Sequence, residues 1–424
     1  MKIFNFMPGH IIKTFFTGSP GIQSLSLLLM ILFLPLLEGP KTVFLILFIA
    51  LTLALLAQRK VLSFKKLVTS DYLLLTWIVC GFIVAGFVEI HHKEWSGARS
   101  AMLIPLLLFC LKNSQFNNKE IMLFLITTII SALSASTEGL WQLYSHQKNS
   151  LELNSVGHVN HSAIYLCITY AIILAFTLTQ STSKHWFIGL LLIILVITFG
   201  SLVIISDSRG SALAMGIITV SYGLIWTKKS KKPLLMMLLA TLFVTGGLYL
   251  TKASIVKKTL SQTASQSSLN SLSGRMPIWN SALLIWRHNP IFGVGIKNFD
   301  QATRKRHENW LAEENKSYSS KIYRPYAHAH SLYFHTLAEQ GIVGFSVVFL
   351  NLFYICYLLY LNTPKQEAPP IDWLLWLSAA GVMQVVLING IFNTTLHHEH
   401  GLLSALIIGL WWSHLKTPII ERRG

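Results

Sequence analysis

Charged residues are scarce in this chain. Only 12% of its 424 residues are charged and 53% are hydrophobic, with a mean hydropathy of +0.54. Soluble domains carry about 25% charged residues. The composition therefore excludes an ordinary soluble protein and indicates that much of the chain faces lipid.

Cysteines are few, and no internal repeat of 20 to 50 residues is evident. Cys80, Cys110, Cys167 and Cys356 all lie inside apolar runs. This placement excludes a disulfide framework or a cysteine-based metal site and predicts small core residues.

Apolar runs of membrane-spanning length are abundant instead. An apolar helix of about 17–25 residues spans the hydrocarbon core. The sequence predicts an all-α polytopic membrane protein with about twelve transmembrane helices. Its candidate spans are 22–37, 42–58, 72–90, 98–112, 120–144, 161–180, 186–205, 211–226, 233–251, 331–361, 373–390 and 401–415. The 331–361 run is too long for one simple crossing, so Gly341 and Gly344 predict a break or tilt.

Basic residues predict the orientation. With the N-terminus inside, seventeen of the 34 Lys and Arg lie in cytoplasmic segments, against five in the short outer loops. The remaining twelve lie in residues 252–330, and long segments translocate largely regardless of charge. The prediction is both termini in the cytoplasm, nine helices over 1–251, a long periplasmic segment over 252–330, and three helices over 331–424.

The long segment divides into two parts. Residues 257–274, KKTLSQTASQSSLNSLSG, are rich in serine and expected to be mobile. The next part predicts a short amphipathic helix, because Pro277 suits a first turn and Ile278, Ala282 and Ile285 form a helical stripe. His288-Asn289-Pro290 ends that helix, which we expect to lie against the membrane surface or the bundle.

Two arginines are candidate anion ligands on the outer side. Arg209 stands at a span boundary in SDSRGSA, and Arg275 opens the amphipathic helix. The alternative interpretation for each is an ordinary loop arginine, whose side chain extends to the membrane interface or into solvent. The functional interpretation is that their guanidinium forks bind phosphate oxygens. An anion at the helix N-terminus would offset the unfavourable placement of Arg275.

Histidines follow on the same side. His330, close to His328, lies where the long segment re-enters the membrane, and an imidazole there can take a proton from a hydroxyl. Simple packing at a helix end is the alternative.

Glu339 lies deeper in the predicted span than His330. It is either a functional group or a structural partner for a nearby cation. Residues 153–166 add His158, Asn160 and His161. The run HHEH at 397–400 suggests a metal site, but we expect these residues to line an outer cavity together with the other histidines.

These residues carry a resemblance. The spacing H-S-x9-G-x-x-G, from His330 and Ser331 through Gly341 to Gly344, resembles the signature of the bacterial O-antigen ligases. Their superfamily also holds O-antigen polymerases and protein O-oligosaccharyltransferases. The SRG at 208–210 and the GR at 274–275 match two further family positions. The match covers about 200–345 and implies a GT-C-like fold, similar to the multi-spanning glycosyltransferases that use polyprenyl-linked sugars.

The resemblance also implies a reaction in lipopolysaccharide biosynthesis. The donor would be O-antigen on undecaprenyl diphosphate, and the acceptor a sugar hydroxyl of the lipid A-core oligosaccharide, at the periplasmic face of the inner membrane. Arg209 and Arg275 would hold the diphosphate, and His330 would deprotonate the acceptor. Neither a nucleotide sugar, a metal nor another cofactor is expected. Membrane lipids are expected partners and nucleic acid is not. Supporting candidates are His328, Arg324, Glu339, His161 and His398.

The residues themselves support one part of this chemistry. A departing diphosphate develops negative charge, and preorganised cations stabilise such charge strongly. No acidic DxD cluster is present to hold a metal, since Asp207 and Asp300 stand alone. No carboxylate is placed as a nucleophile, so we expect inversion at the transferred sugar.

Acceptor choice stays open at this point. A polymerase or a protein-glycosylating enzyme shares the donor and the arginines. A lipid or solute transporter is the alternative from another class. Such proteins usually show inverted repeats and charged residues near the middle of the membrane. The predicted spans of this chain are nearly free of charge, with Glu138 and Glu339 as the exceptions.

Overall fold

The computed structural model describes residues 19–59, 67–180, 186–227 and 274–415, and within these ranges the chain contains helices and no strands. The predicted span 233–251 and the serine-rich part lie outside the described residues. So do the two ends of the chain, residues 1–18 and 416–424.

Fourteen α-helices cover the described ranges. They are α1 Ser19–Phe33, α2 Glu38–Gln58, α3 Thr69–Phe87, α4 Glu94–Ala101, α5 Leu103–Lys112, α6 Asn118–Tyr144, α7 Val159–Gln180, α8 Trp186–Ile205, α9 Arg209–Thr227, α10 Met276–His288, α11 Arg304–Glu313, α12 Leu332–Leu361, α13 Pro370–Gly390 and α14 His398–His414, with a 3₁₀ turn at Phe299–Gln301. Counting Glu94–Lys112 as one, eight helices among the described residues are long and apolar enough to cross a membrane.

The chain is therefore a polytopic α-helical membrane protein, as predicted, while the count of twelve stays a prediction. Several helix ends differ from the predicted spans by three or four residues. The span expected at 98–112 begins at Glu94 and consists of α4 and α5, which meet at Met102. Helix α4 packs so closely on the 292–298 loop that a Cβ on Gly97 would lie 2.2 Å from the Ile296 carbonyl oxygen.

Helix α7 forms the centre of the bundle. It is apolar around its whole circumference and almost entirely buried, as expected for a helix surrounded by others. It packs against α8, α9, α13 and α14. The four cysteines carry no disulfide, and Cys80, Cys110 and Cys167 are buried, which confirms their prediction as core residues.

Polar residues collect at the two ends of the bundle. At one end Lys112 pairs with Asp71 at 2.9 Å and His414 with Asp372 at 2.8 Å. The opposite end holds the first residues of α7, α9, α12 and α14 and the last residues of α13. We call this the site end, because the predicted Arg209, His330 and His398 all lie there.

Helix α12 is broken at Gly341, which confirms the predicted break. Gly341 has φ 59° and ψ −163° inside an otherwise helical run. The loop after α10 runs along the break and replaces the lost helical hydrogen bonds. The Gly295 amide donates to the Glu339 carbonyl at 2.8 Å, and the Ile342 amide donates to the Pro290 carbonyl at 2.8 Å. The broken helix therefore anchors the outer segment that carries Arg275.

We expect Gly341→Ala to destabilise the protein by about 3 kcal/mol or more. A Cβ there would lie 2.3 Å from the Ile291 carbonyl oxygen, in a backbone conformation that L-residues avoid. Helical Gly216 has no atom within 4 Å of an added Cβ, so Gly216→Ala is the matched control. Melting temperature of the detergent-purified protein is the measurement. Equal melting temperatures for the two variants would contradict the anchoring role.

Candidate functional site

The turn that follows α13, residues 389–393, is the structural centre of the site. Asn389 accepts a hydrogen bond from the Ser211 hydroxyl at 3.2 Å. The Asn393 carbonyl accepts one from the Leu332 amide at 3.0 Å. The Gly390 carbonyl accepts one from the Ser331 hydroxyl at 3.2 Å. One turn thus joins the beginning of α9 to the beginning of α12, although 120 residues separate them in sequence.

Arg209 is held at this turn by its neighbours. Asp207 has a positive φ of 56°, a strained conformation that redirects the chain from α8 into α9. A Cβ on Gly210 would lie 2.9 Å from the Asn389 side-chain oxygen and 3.4 Å from the Phe392 ring. The SRG motif therefore requires glycine for close packing, and this packing fixes the arginine beside it.

Arg275 reaches the same turn from the outer segment. It caps α10, and its guanidinium carbon lies 6.0 Å from the centre of the Phe392 ring. Burial, and then repulsion from Arg209, lower the pKa of Arg275. Two guanidinium groups therefore share one partly buried region, which is the arrangement that a dianionic ligand would stabilise.

His330 stands directly before α12 in a left-handed conformation, with φ 49°. Its ring centre lies 4.0 Å from that of His328. Burial lowers the pKa of His330 to about 3, with further lowering by His328 and Arg275. Burial likewise lowers the pKa of His328 to about 4. Both imidazoles are therefore neutral near pH 7 and can accept a proton.

Tyr326 is a site residue that the sequence reasoning missed. Its ring lies 5.3 Å from His330 and 5.9 Å from His328, centre to centre, and the residue is 42% exposed. The guanidinium of Arg324 lies 5.8 Å from the same ring. The Arg324 amide donates to the Ser281 hydroxyl at 2.9 Å, which ties this segment to α10. Tyr326 and Arg324 thus form an exposed rim beside His330.

A second group of histidines lines the neighbouring wall. The ring of His161 lies 4.8 Å from His397, 5.3 Å from His398 and 5.1 Å from His400, between ring centres. His398 contributes to lowering the pKa of His328, so the two groups are close. Among the described residues no three His, Cys, Asp or Glu side chains are arranged to hold a metal ion. Glu399 instead forms an ion pair with Lys41.

Glu339 lies apart from the two arginines. It is buried, lies 3.3 Å from His335 in an ion-pair geometry, and accepts a hydrogen bond from the Phe299 amide at 3.2 Å. The Ala329 amide in turn points at His335 Nδ1, at 3.5 Å. Of the two interpretations made from sequence, this geometry favours the structural one. Glu339 ties the outer segment to α12 and supports the backbone next to His330.

The structure therefore brings together Arg209, Arg275, His330 and His328, with Arg324 on the rim and His161 and His398 on the adjoining wall. Residues 194–349 of the chain match the family described as O-Antigen ligase. The match contains both arginines, His330 and the broken part of α12. Among proteins with curated descriptions, none matches the chain.

The family match confirms, over residues 194–349, the resemblance to the O-antigen ligases that the sequence carries, and it supports a glycosyltransferase-like enzyme of the ligase and polymerase superfamily.

Proposed function

We propose that the protein is an O-antigen ligase, which transfers polysaccharide from undecaprenyl diphosphate to a sugar hydroxyl of the lipid A-core oligosaccharide. The observation that carries the proposal is the neutral His330 imidazole near the partly buried guanidinium of Arg275, which in turn lies near Arg209. The match of residues 194–349 to the O-antigen ligase family supports the reaction class. The acceptor and the donor lipid are our inference from the resemblance and the site chemistry.

Arg209 and Arg275 bind the donor diphosphate in this proposal. Arg275 caps the N-terminus of α10, where free backbone amides also favour an anion. Each guanidinium offers two parallel donors to phosphate oxygens. The mutual repulsion of the arginines, which lowers the pKa of Arg275, becomes attraction when the diphosphate lies between them.

Transfer then proceeds in one displacement. The acceptor hydroxyl oxygen attacks the anomeric carbon of the donor sugar, and His330 takes the hydroxyl proton. The bond from that carbon to the phosphate oxygen breaks, and its electron pair leaves with the lipid diphosphate. The two arginines stabilise the charge that develops there, typically the largest catalytic contribution in such sites. Attack from the opposite side inverts the anomeric centre.

Donor binding also prepares the base. Burial, and then His328 and Arg275, lower the pKa of His330 to about 3, which makes the imidazole a weak proton acceptor. A bound diphosphate places opposite charge nearby and favours the protonated imidazole, so it raises the pKa. A base whose pKa approaches the working pH is more effective. In this proposal donor binding therefore makes His330 a more effective base.

The site end faces the periplasm in this proposal. The orientation rests on the basic residues, which put both termini in the cytoplasm of an inner-membrane protein with about twelve spans and a GT-C-like arrangement. The same proposal divides the chain into transmembrane helices over 1–251, a periplasmic segment over 252–330 and transmembrane helices over 331–424. The exposed rim of Tyr326 and Arg324 is the side from which a large acceptor approaches His330.

Genetic complementation tests the acceptor. A ligase-null strain that expresses this chain should regain polymer on lipid A-core, whereas a polymerase-null strain should not regain long chains. The reverse result would make the protein a polymerase, and polymer attached to protein would make it a protein O-oligosaccharyltransferase. Purified protein should transfer glycan between two lipids in detergent without a gradient. Lipid movement without transfer would instead establish a transporter.

We expect transfer to persist after exhaustive chelation with EDTA. The two guanidinium groups supply the charge that a divalent metal supplies in many soluble glycosyltransferases. The initial rate of glycan transfer by chelator-treated, purified protein is the measurement. If chelation abolishes transfer and Mg²⁺ or Mn²⁺ restores it, the arginines do not stabilise the developing charge by themselves, which would contradict the proposal.

A further inference from the structure

A cavity that neither Arg209 nor Arg275 lines opens in the outer segment between the end of α10, helix α11 and the loop that follows α3. It has a volume of about 390 Å³, within the usual range of small-molecule sites. Its polar lining includes Glu89, His288, Arg306, Asn309, Trp310 and Glu313. None of these residues has a part in the transfer step described above.

The lining favours a neutral ligand with many hydroxyl groups. Carboxylates at Glu89 and Glu313 accept hydrogen bonds, and the Arg306 guanidinium donates them. The Asn309 amide does both. One positive and two negative groups repel a phosphate, and the polar walls do not suit an acyl chain. A sugar hydroxyl, which donates and accepts, matches this mixture.

Trp310 supplies a rigid flat surface in the same cavity. The His288 ring stacks on the Trp310 indole with 5.4 Å between ring centres and an interplanar angle of 12°. His288 is held in turn by Glu313 at 3.6 Å and by Glu314 at 3.3 Å. A fixed indole offers a large contact area at little entropic cost. Such a surface packs against the C–H face of a sugar ring.

The position of the cavity relates it to the proposed transfer site. Arg275 caps one end of α10 and His288 is its last residue, thirteen residues along. At 1.5 Å per residue the helix spans about 20 Å. A glycan that starts beside Arg275 therefore needs several sugar units to reach Trp310.

We propose that this cavity is a remote glycan subsite, which binds sugar units several residues away from the reacting bond. The inference rests on the proposed function, because it assigns the bound glycan to one of the two transfer substrates. The same chemistry fits the polymer of the donor and the oligosaccharide of the acceptor. The experiment below separates the two sources.

Two variants of α11 provide the test. Asn309→Trp fills the cavity without changing charge. Ala312→Trp places the same side chain on an exposed position of α11 that does not line the cavity. Binding of lipid-free O-antigen oligosaccharide and of lipid-free core oligosaccharide is measured by saturation-transfer NMR on the full-length protein in detergent. One of the two oligosaccharides should bind to the wild type and to Ala312→Trp but not to Asn309→Trp. The oligosaccharide that shows this pattern identifies the donor or the acceptor as the source of the bound glycan.

The kinetic test uses substrate length. For the glycan that binds, the wild-type kcat/KM for a long chain should exceed that for a one-unit chain by about tenfold. Asn309→Trp should remove this preference, and Ala312→Trp should keep it. Binding of neither oligosaccharide, or equal behaviour of the two variants, would overturn the subsite. Oligosaccharide binding by a wild type that transfers no glycan would instead overturn the proposed function and leave the subsite intact.

Discussion

Replacement of His330 by alanine is expected to abolish measurable glycan transfer. A positioned general base contributes typically about 10²–10⁴-fold to a rate. His330 is a neutral imidazole near Arg275 and stands directly before α12. The measurement is the initial rate of product formation by purified protein with a lipid-diphosphate donor. The variant should still insert into the membrane and bind donor, because the arginines are unchanged.

His328→Ala is the control for this result, since its ring lies only 4.0 Å from that of His330. We expect it to lower the rate much less, because it removes a neighbour of the base and not the base. The pH profile gives a second check. A low pKa keeps His330 neutral in the free enzyme, so kcat/KM should not fall until well below pH 6.5. Near-normal transfer by His330→Ala would remove the residue from its role.

Arg275→Lys is expected to lower the rate of transfer by about 10²–10³-fold, the usual cost of losing one charge-stabilising donor. Lysine keeps the positive charge but cannot donate two parallel hydrogen bonds to a phosphate. The ammonium group also fails to reproduce the position of the planar guanidinium over the Phe392 ring. The measurements are kcat and KM for the donor, together with binding of a radiolabelled lipid diphosphate.

The matched control is Arg287→Lys, in the last turn of the same helix. Arg287 lies at the opposite end of α10, where it pairs with Glu314 at 3.4 Å on the surface. An exposed pair of this kind contributes little to stability, so transfer and folding should be unaffected. Equal activity of the two lysine variants would show that transfer does not require the bidentate guanidinium of Arg275. The interpretation of Arg275 as an ordinary loop residue would then hold.

Much of the fold could be predicted from local signals. Pro277 and the stripe from Ile278 to Ile285 predicted the outer helix, which the structure places at Met276–His288. Excess length and Gly341 predicted the break in α12. These features depend on hydrophobic periodicity and on backbone conformations that few residues adopt, and a single sequence displays both.

The surroundings of the site could not be predicted in the same way. The 389–393 turn joins α9 and the outer segment through Asn389 and Phe392, and α12 through its carbonyl groups. No spacing in the sequence pairs those positions. The rim residue Tyr326 and the short helix α11, with Trp310 and its cavity, were missed for the same reason. Which helix ends become neighbours depends on packing between distant segments, and local periodicity carries no information about it.

The most direct test is an experimental structure with an undecaprenyl-diphosphate analogue bound. The account predicts phosphate oxygens within hydrogen-bond distance of both Arg209 and Arg275, with the His330 ring facing the first sugar carbon. Diphosphate density at another place, or the three side chains on separate surfaces, would contradict it.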